Sequence, residues 1–172
     1  MNSRRLPIVT LRAMEPEDLE LLYRIENDEQ LWDVSATSVP YSRFLLRDFI
    51  AQSSGDIYAD RQVRLIIEDD SHHTVGMADL VNFDPRHLRA EVGIVLERPY
   101  RRQGYAQAAL NSIHTYATKV LHLHQLYAVI AASNSRALSL FNRIGYKTTA
   151  TLPDWLSDGH TYDDALLLQF LL

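Results

Sequence analysis

The feature that most constrains this fold lies between Glu91 and Leu121, where the hydrophobic period changes across a short glycine-containing turn. Glu91-Val92-Gly93-Ile94-Val95-Leu96 reads as a strand, and Glu97-Arg98-Pro99-Tyr100 follows it. From Tyr105 to Leu121 the apolar positions Ala106, Ala109, Leu110, Ile113, Ala117, Val120 and Leu121 recur at three and four, the spacing of an amphipathic helix. The two readings commit the chain to a sheet with helices laid on it.

The flanking sequence extends that plan. Ile8 to Met14 reads as a strand, and Pro16 with Glu17 and Asp18 opens a helix running to Asn27, because proline and acids suit a first helical turn. After a turn over Ser35 to Pro40, a second helix is expected from Ser42 to Gln52. Arg61 to Glu68, Val75 to Phe83 and Glu91 to Leu96 form an antiparallel meander, punctuated by Asp69-Asp70-Ser71-His72-His73 and Asp84-Pro85-Arg86. Beyond the long helix come a strand at Leu126 to Ala131 and a helix capped by Ser133 and Asn134 with Ala137, Leu138, Phe141 and Ile144 on one face. Gly145 ends that helix, and Tyr146 to Leu152 and Ala165 to Leu171 close the chain as strands. The expected class is α/β (α+β), a mixed, mostly antiparallel sheet of about seven strands flanked by about four helices. At 172 residues and 19.7 kDa, residues 1–172 are expected to form a single domain.

Composition removes several functions. Without cysteine there is no disulfide scaffold, thiolate zinc site or cysteine nucleophile. The longest apolar run, Leu126 to Ala132, is far shorter than the roughly 20 residues of a membrane span. Met1 to Pro7 lacks the apolar segment of a signal peptide, so a soluble cytoplasmic protein without membrane contact is expected. Seventeen basic against 22 acidic residues give a net charge of -5, which argues against a nucleic-acid partner. The charge is uneven: eight acids and the single base Arg24 fall between Glu15 and Asp33, whereas Arg98, Arg101 and Arg102 crowd beside the turn.

That turn carries the chemistry. A strand feeding a glycine turn and a helix N-terminus aims unpaired N–H groups at one point, with the positive end of the helix dipole behind them. Gly104 permits close approach of backbone to a phosphate, Ala106 nearly so, and Arg101 and Arg102 can supply charge-assisted forks. A diphosphate suits such a cradle.

Arg101-x-x-Gly104-x-Ala106 after a strand resembles the pyrophosphate-binding motif of the GNAT superfamily of acetyl-coenzyme A-dependent N-acetyltransferases. The likeness extends through Glu91 to Tyr100 and through Asn134-Ser135-Arg136-Ala137-Leu138-Ser139-Leu140-Phe141-Asn142-Arg143-Ile144-Gly145-Tyr146, and is strongest to the bacterial spermidine/diamine and ribosomal-protein branches. The resemblance implies acetyl-coenzyme A as cosubstrate and no metal. It places the diphosphate on Arg101, Arg102, Gln103, Gly104, Tyr105 and Ala106, the pantetheine arm on the backbone of Ile94, Val95 and Leu96, and a further cofactor contact at Asn134. It also implies that the strand Glu91 to Leu96 splays from Leu126 to Ala131.

An alkylammonium with a pKa of about 10.4 must lose a proton before it can attack, and Glu91 is the candidate to collect it. GNAT enzymes often carry a tyrosine four residues before the last helix's glycine; here Phe141 stands there, leaving Tyr146, Tyr127 and Tyr100 as available hydroxyls. The acidic stretch reads either as a solvated face or as a wall for a cationic acceptor, and Trp32 and Trp155 either line the acceptor pocket or pack in the core. Three functions stay open: acetylation of a small polyamine-like amine, acetylation of a protein N-terminus, and coenzyme A sensing without turnover. A homodimer is possible in each. His72, His73, His122 and His124 are read as exposed, and Ser133 and Ser139 lack a hydrolase pattern.

Overall fold

Local chemistry starts most elements where the sequence predicts them. The structure, a computed structural model, describes residues 5–29 and 39–172. β1 (Val9–Ala13) is followed by a tight turn at Pro16–Asp18 and α1 (Leu19–Glu26). Ser42 accepts from the Leu45 N–H at 3.1 Å and opens α2 (Arg43–Gln52). A single helical turn, α3 (Ile57–Asp60), carries no periodic signal and was not expected; Arg61 ends it in the left-handed region at φ 57°. β2 (Val63–Asp69), β3 (Thr74–Asp84) and β4 (Arg89–Leu96) form the meander, followed by α4 (Tyr105–Lys119), β5 (Gln125–Ala131), α5 (Ser135–Arg143), β6 (Lys147–Ser157) and β7 (Tyr162–Leu171). Trp32, Asp33 and the start of the expected Ser35 turn lie outside the described residues.

Among the described residues seven strands make one sheet in the order β1-β2-β3-β4-β5-β7-β6, with β4 and β5 its only parallel neighbours. The closing hairpin runs longer than its apolar pattern, since Pro153 and Asp154 are absorbed in an irregularity between Leu152 and Leu156. Alternation divides the core. Met77 and Ile66 face Leu21, Leu22, Ile25 and Leu46 of α1 and α2, whereas Ala78 and Leu80 face Ala109, Leu110 and Ile113 of α4. Leu110 and Ile113 are fully buried, each contributing about 1.5–3 kcal/mol of apolar transfer. No described helix is long and apolar enough to cross a membrane.

The same face encloses an ionisable side chain. The His114 ring stacks on Phe170 with centroids 4.2 Å apart, and its Nε2 lies 3.1 Å from the Tyr146 hydroxyl. Burial pushes the His114 pKa below its ordinary value of 6.5 and the Tyr146 phenol upward. Below about pH 6.5 the unfolded chain therefore binds the extra proton first, and stability drains as pH falls toward the depressed folded value. Melting temperatures of the native protein and His114→Gln should converge between pH 7.5 and pH 5. A gap that stays constant would remove His114 from the acid response.

Candidate functional site

β4 and β5 pair only at Arg89↔Gln125, Ala90↔Leu126 and Glu91↔Tyr127, then separate. Their divergence opens a cleft of about 1420 Å³, larger than the roughly 300–1,000 Å³ of a drug-sized pocket. Its walls come from β4, β5, Asn82 of β3, the turn and start of α4, the length of α5, and Trp155 to Ser157 of β6.

The ladder determines which backbone groups face the opening. Glu97 N–H donates to the Val75 carbonyl at 3.0 Å, and polarity alternates along an antiparallel pair. Gly93 and Val95 therefore spend their main-chain groups on β3, opposite Asp79 and Met77, while Ile94 and Leu96 turn theirs toward the cleft. Val95 also lines the cleft, with its main-chain groups on β3 and its side chain against the α1 and α2 cluster. The Leu96 carbonyl is occupied as well, accepting from Arg101 Nε at 2.9 Å. Arg101 thus ties the turn to the end of β4, and only the rest of its guanidinium is left for the fork that the sequence suggested.

At the wide end, Arg102 and Gly104 both adopt left-handed backbone, with φ of 62° and 95°. A Cβ at Gly104 would also meet Pro7 Cδ at 3.1 Å and Leu6 Cδ2 at 3.3 Å, so the glycine serves the crossing of the N-terminal segment as well as the turn. α4 has no side-chain cap, and its first helical acceptor is reached only at Ala108 N–H to the Gly104 carbonyl, 3.0 Å. The N–H groups ahead of Ala108 lack helical acceptors, leaving donors at a positive dipole end. The charged side chains of the cleft lining are Arg101, Arg102, Arg136, Arg143 and Glu91, four cations to one anion. Arg136 and Arg143 were not singled out beforehand, because only folding brings α5 opposite α4.

Other expected residues are placed differently. Gln103 donates from Nε2 to the Pro99 carbonyl at 2.5 Å, and Tyr105 packs edge-on against Tyr100 with centroids 5.6 Å apart, so neither side chain lines the cleft. Ala106 lines it. Asn134 does too, while its Oδ1 accepts from Ala137 N–H at 3.2 Å to cap α5.

The narrow end lies where the strands part. Glu91 accepts from Asn82 Nδ2 at 2.8 Å and sits across the last rung from Tyr127. Burial pushes the Tyr127 phenol above its ordinary pKa of 10, with the charge of Glu91 adding to the effect. Asn82 carried no signal in the sequence; it meets Glu91 only through the register of β3 against β4.

Half of the eight acids of the acidic stretch are paired with arginine. Asp18 binds Arg12, Glu20 binds Arg43, Glu26 binds Arg64 and Asp28 binds Arg98. Arg24–Glu97 at 2.8 Å and Arg98–Asp28 at 3.0 Å pin the segment after β4 to α1, so these acids act as structural ties. Trp155 is 61% exposed and lines the cleft instead of the core. Among the described residues, no group of three or more His, Asp or Glu side chains could hold a metal ion.

Residues 9–147 match the family described as Acetyltransferase (GNAT) domain. A spermidine N(1)-acetyltransferase of Vibrio cholerae is 24% identical over 171 residues, covering 99% of this chain and 95% of the relative. The Escherichia coli K12 spermidine N(1)-acetyltransferase is 27% identical over 145 residues, 84% of this chain and 75% of the relative. The fold is similar to a crystal structure of the Vibrio cholerae spermidine N-acetyltransferase in complex with CoA and spermine, with a TM-score of 0.85, 24% identity and 95% coverage of each chain.

Proposed function

Because the chain belongs to the GNAT acetyltransferase family, we propose that it transfers the acetyl group of acetyl-coenzyme A to a primary amine of a small polyamine-like cation, by direct attack in a ternary complex. The carrying observation is the fork between β4 and β5, with Arg101 and Arg102 in the turn beyond its wide end and Glu91 where the strands part. The polyamine acceptor is supported by the Vibrio cholerae and Escherichia coli relatives, which carry that activity in their names.

In this reading the N–H groups at the start of α4, with Arg102 and with Arg136 at the start of α5, hold the diphosphate. The open main-chain groups of Ile94 and the Leu96 N–H hold the pantetheine arm in place of a strand neighbour. An N–H aimed at the thioester oxygen stabilises the charge that develops there, by about 2.7–4 kcal/mol per donor. Glu91 takes the proton from the acceptor ammonium. Two or more copies are expected to assemble, in line with a similar Vibrio cholerae structure described as dodecameric.

Calorimetry with acetyl-coenzyme A and thiol release across an amine panel test the reading, with spermidine expected among the productive amines. No binding of acetyl-coenzyme A would overturn it. Binding without thiol release from any amine would favour a sensor instead. Arg102 is exposed, so Arg102→Glu should preserve the fold while weakening coenzyme affinity about 10- to 100-fold, the scale of a charged hydrogen bond. Unchanged affinity would move the cradle elsewhere.

A further inference from the structure

The acetyl-transfer reading leaves one chemical role without an actor: the expelled thiolate of coenzyme A needs a proton. Phe141 lines the cleft at the position where GNAT enzymes often carry a tyrosine, and it has no proton to give. The chain has nine tyrosines, all within the described residues. Tyr146 is 2% exposed and turned to His114, and Tyr100 packs against Tyr105 outside the cleft. Of all nine, only Tyr127 lines the cleft. Among the described residues the lining also holds no histidine, lysine or cysteine, and its one carboxylate is Glu91.

We infer that Tyr127 is the proton donor to the leaving thiolate, and that Glu91, its partner across the last β4–β5 rung, resupplies it. The inference rests on the acetyl-transfer reading and completes its proton balance. The acceptor ammonium passes one proton to the Glu91 carboxylate and becomes a neutral amine. Its nitrogen forms the C–N bond as the C–S bond breaks, and the sulfur leaves with the electron pair. The thiolate takes the Tyr127 proton, and the phenolate recovers one from the Glu91 carboxylic acid. The second nitrogen proton goes to water. Glu91 and Tyr127 finish as they began, and the products are amide, thiol and one released proton.

Placement supports this assignment. The fork closes at Glu91 and Tyr127, at the end away from the turn that carries Arg101 and Arg102, so an arm anchored at α4 and running along Ile94 brings its reactive tip toward them. Burial and the charge of Glu91 keep the phenol protonated until the thiolate forms beside it, and the more acidic Glu91 carboxylic acid draws the transfer forward by replacing the proton. Asn82, within 2.8 Å of Glu91, holds the carboxylate toward the pair.

The test compares Tyr127→Phe with the native protein in steady-state turnover of acetyl-coenzyme A and spermidine. The expected result is a fall in kcat of about 100-fold, the scale of general acid catalysis, with calorimetric affinity for acetyl-coenzyme A and melting temperature unchanged. Adding Phe141→Tyr should return at least about tenfold of the lost rate, because it puts a phenol back on the opposite wall of the cleft. A Tyr127→Phe rate within twofold of native would overturn the inference. So would a loss that the second hydroxyl leaves in place, which would make Tyr127 a positioning residue. Failure of the native protein to bind acetyl-coenzyme A would remove the acetyl-transfer reading, and this inference with it.

Discussion

Glu91→Gln is expected to lower kcat by about 10²–10⁴-fold while leaving acetyl-coenzyme A affinity intact, the range over which a positioned general base contributes. The substitution keeps size and the hydrogen bond from Asn82 available while removing the ability to take a proton. The cleft offers no substitute, since Glu91 is the one carboxylate among its described lining residues. The residual rate should rise toward high pH, as more of the amine with a pKa of about 10.4 reaches the site already neutral. The measurement is thiol release from pH 6 to 9. Native-like rates across that range would exclude Glu91 as the proton acceptor.

Gly76→Ala should be the most damaging single-methyl change. A Cβ there would run into the Val95 carbonyl oxygen and lie 2.9 Å from both Leu96 Cα and Leu96 Cδ2. Backbone cannot swing aside as a flexible side chain can, so β3 and β4 must part locally, at a cost of about 3 kcal/mol or more. The damage falls where Leu96 faces the cleft, so coenzyme affinity should drop with the denaturation midpoint. Gly93→Ala is the matched control: its Cβ meets nothing within 4 Å, and stability should change by only about 0.5 kcal/mol. Equal midpoints for the two variants would show that Gly76 is not tightly enclosed.

The two glycines also show how far reading along the chain extends. Both sit in strands with strong β patterns, and nothing local separates them; the close approach of Leu96 to Gly76 exists only once β3 and β4 pair. Arg101 followed the same course. Its charge suggested a free anion fork, but the short path to the Leu96 carbonyl appears only when the turn closes. Gln103 and Tyr105 belong to the motif by spacing, yet their side chains leave the cleft because the turn and the first helical residue point them toward Pro99 and Tyr100.

Hydrophobic period, caps and turn residues act within a few neighbours, so the order of strands and helices, the strand-to-helix turn at Gly104 and the placement of Asn134 at a helix start were all legible in one dimension. The separation of β4 from β5 after three rungs depends on residues more than thirty positions apart, as does the meeting of Tyr127 with Glu91, and the entry of Arg136 and Arg143 into the same cleft as Arg102 depends on where α5 docks. Register and helix docking decide such encounters, and both are collective outcomes of burying two hydrophobic faces at once.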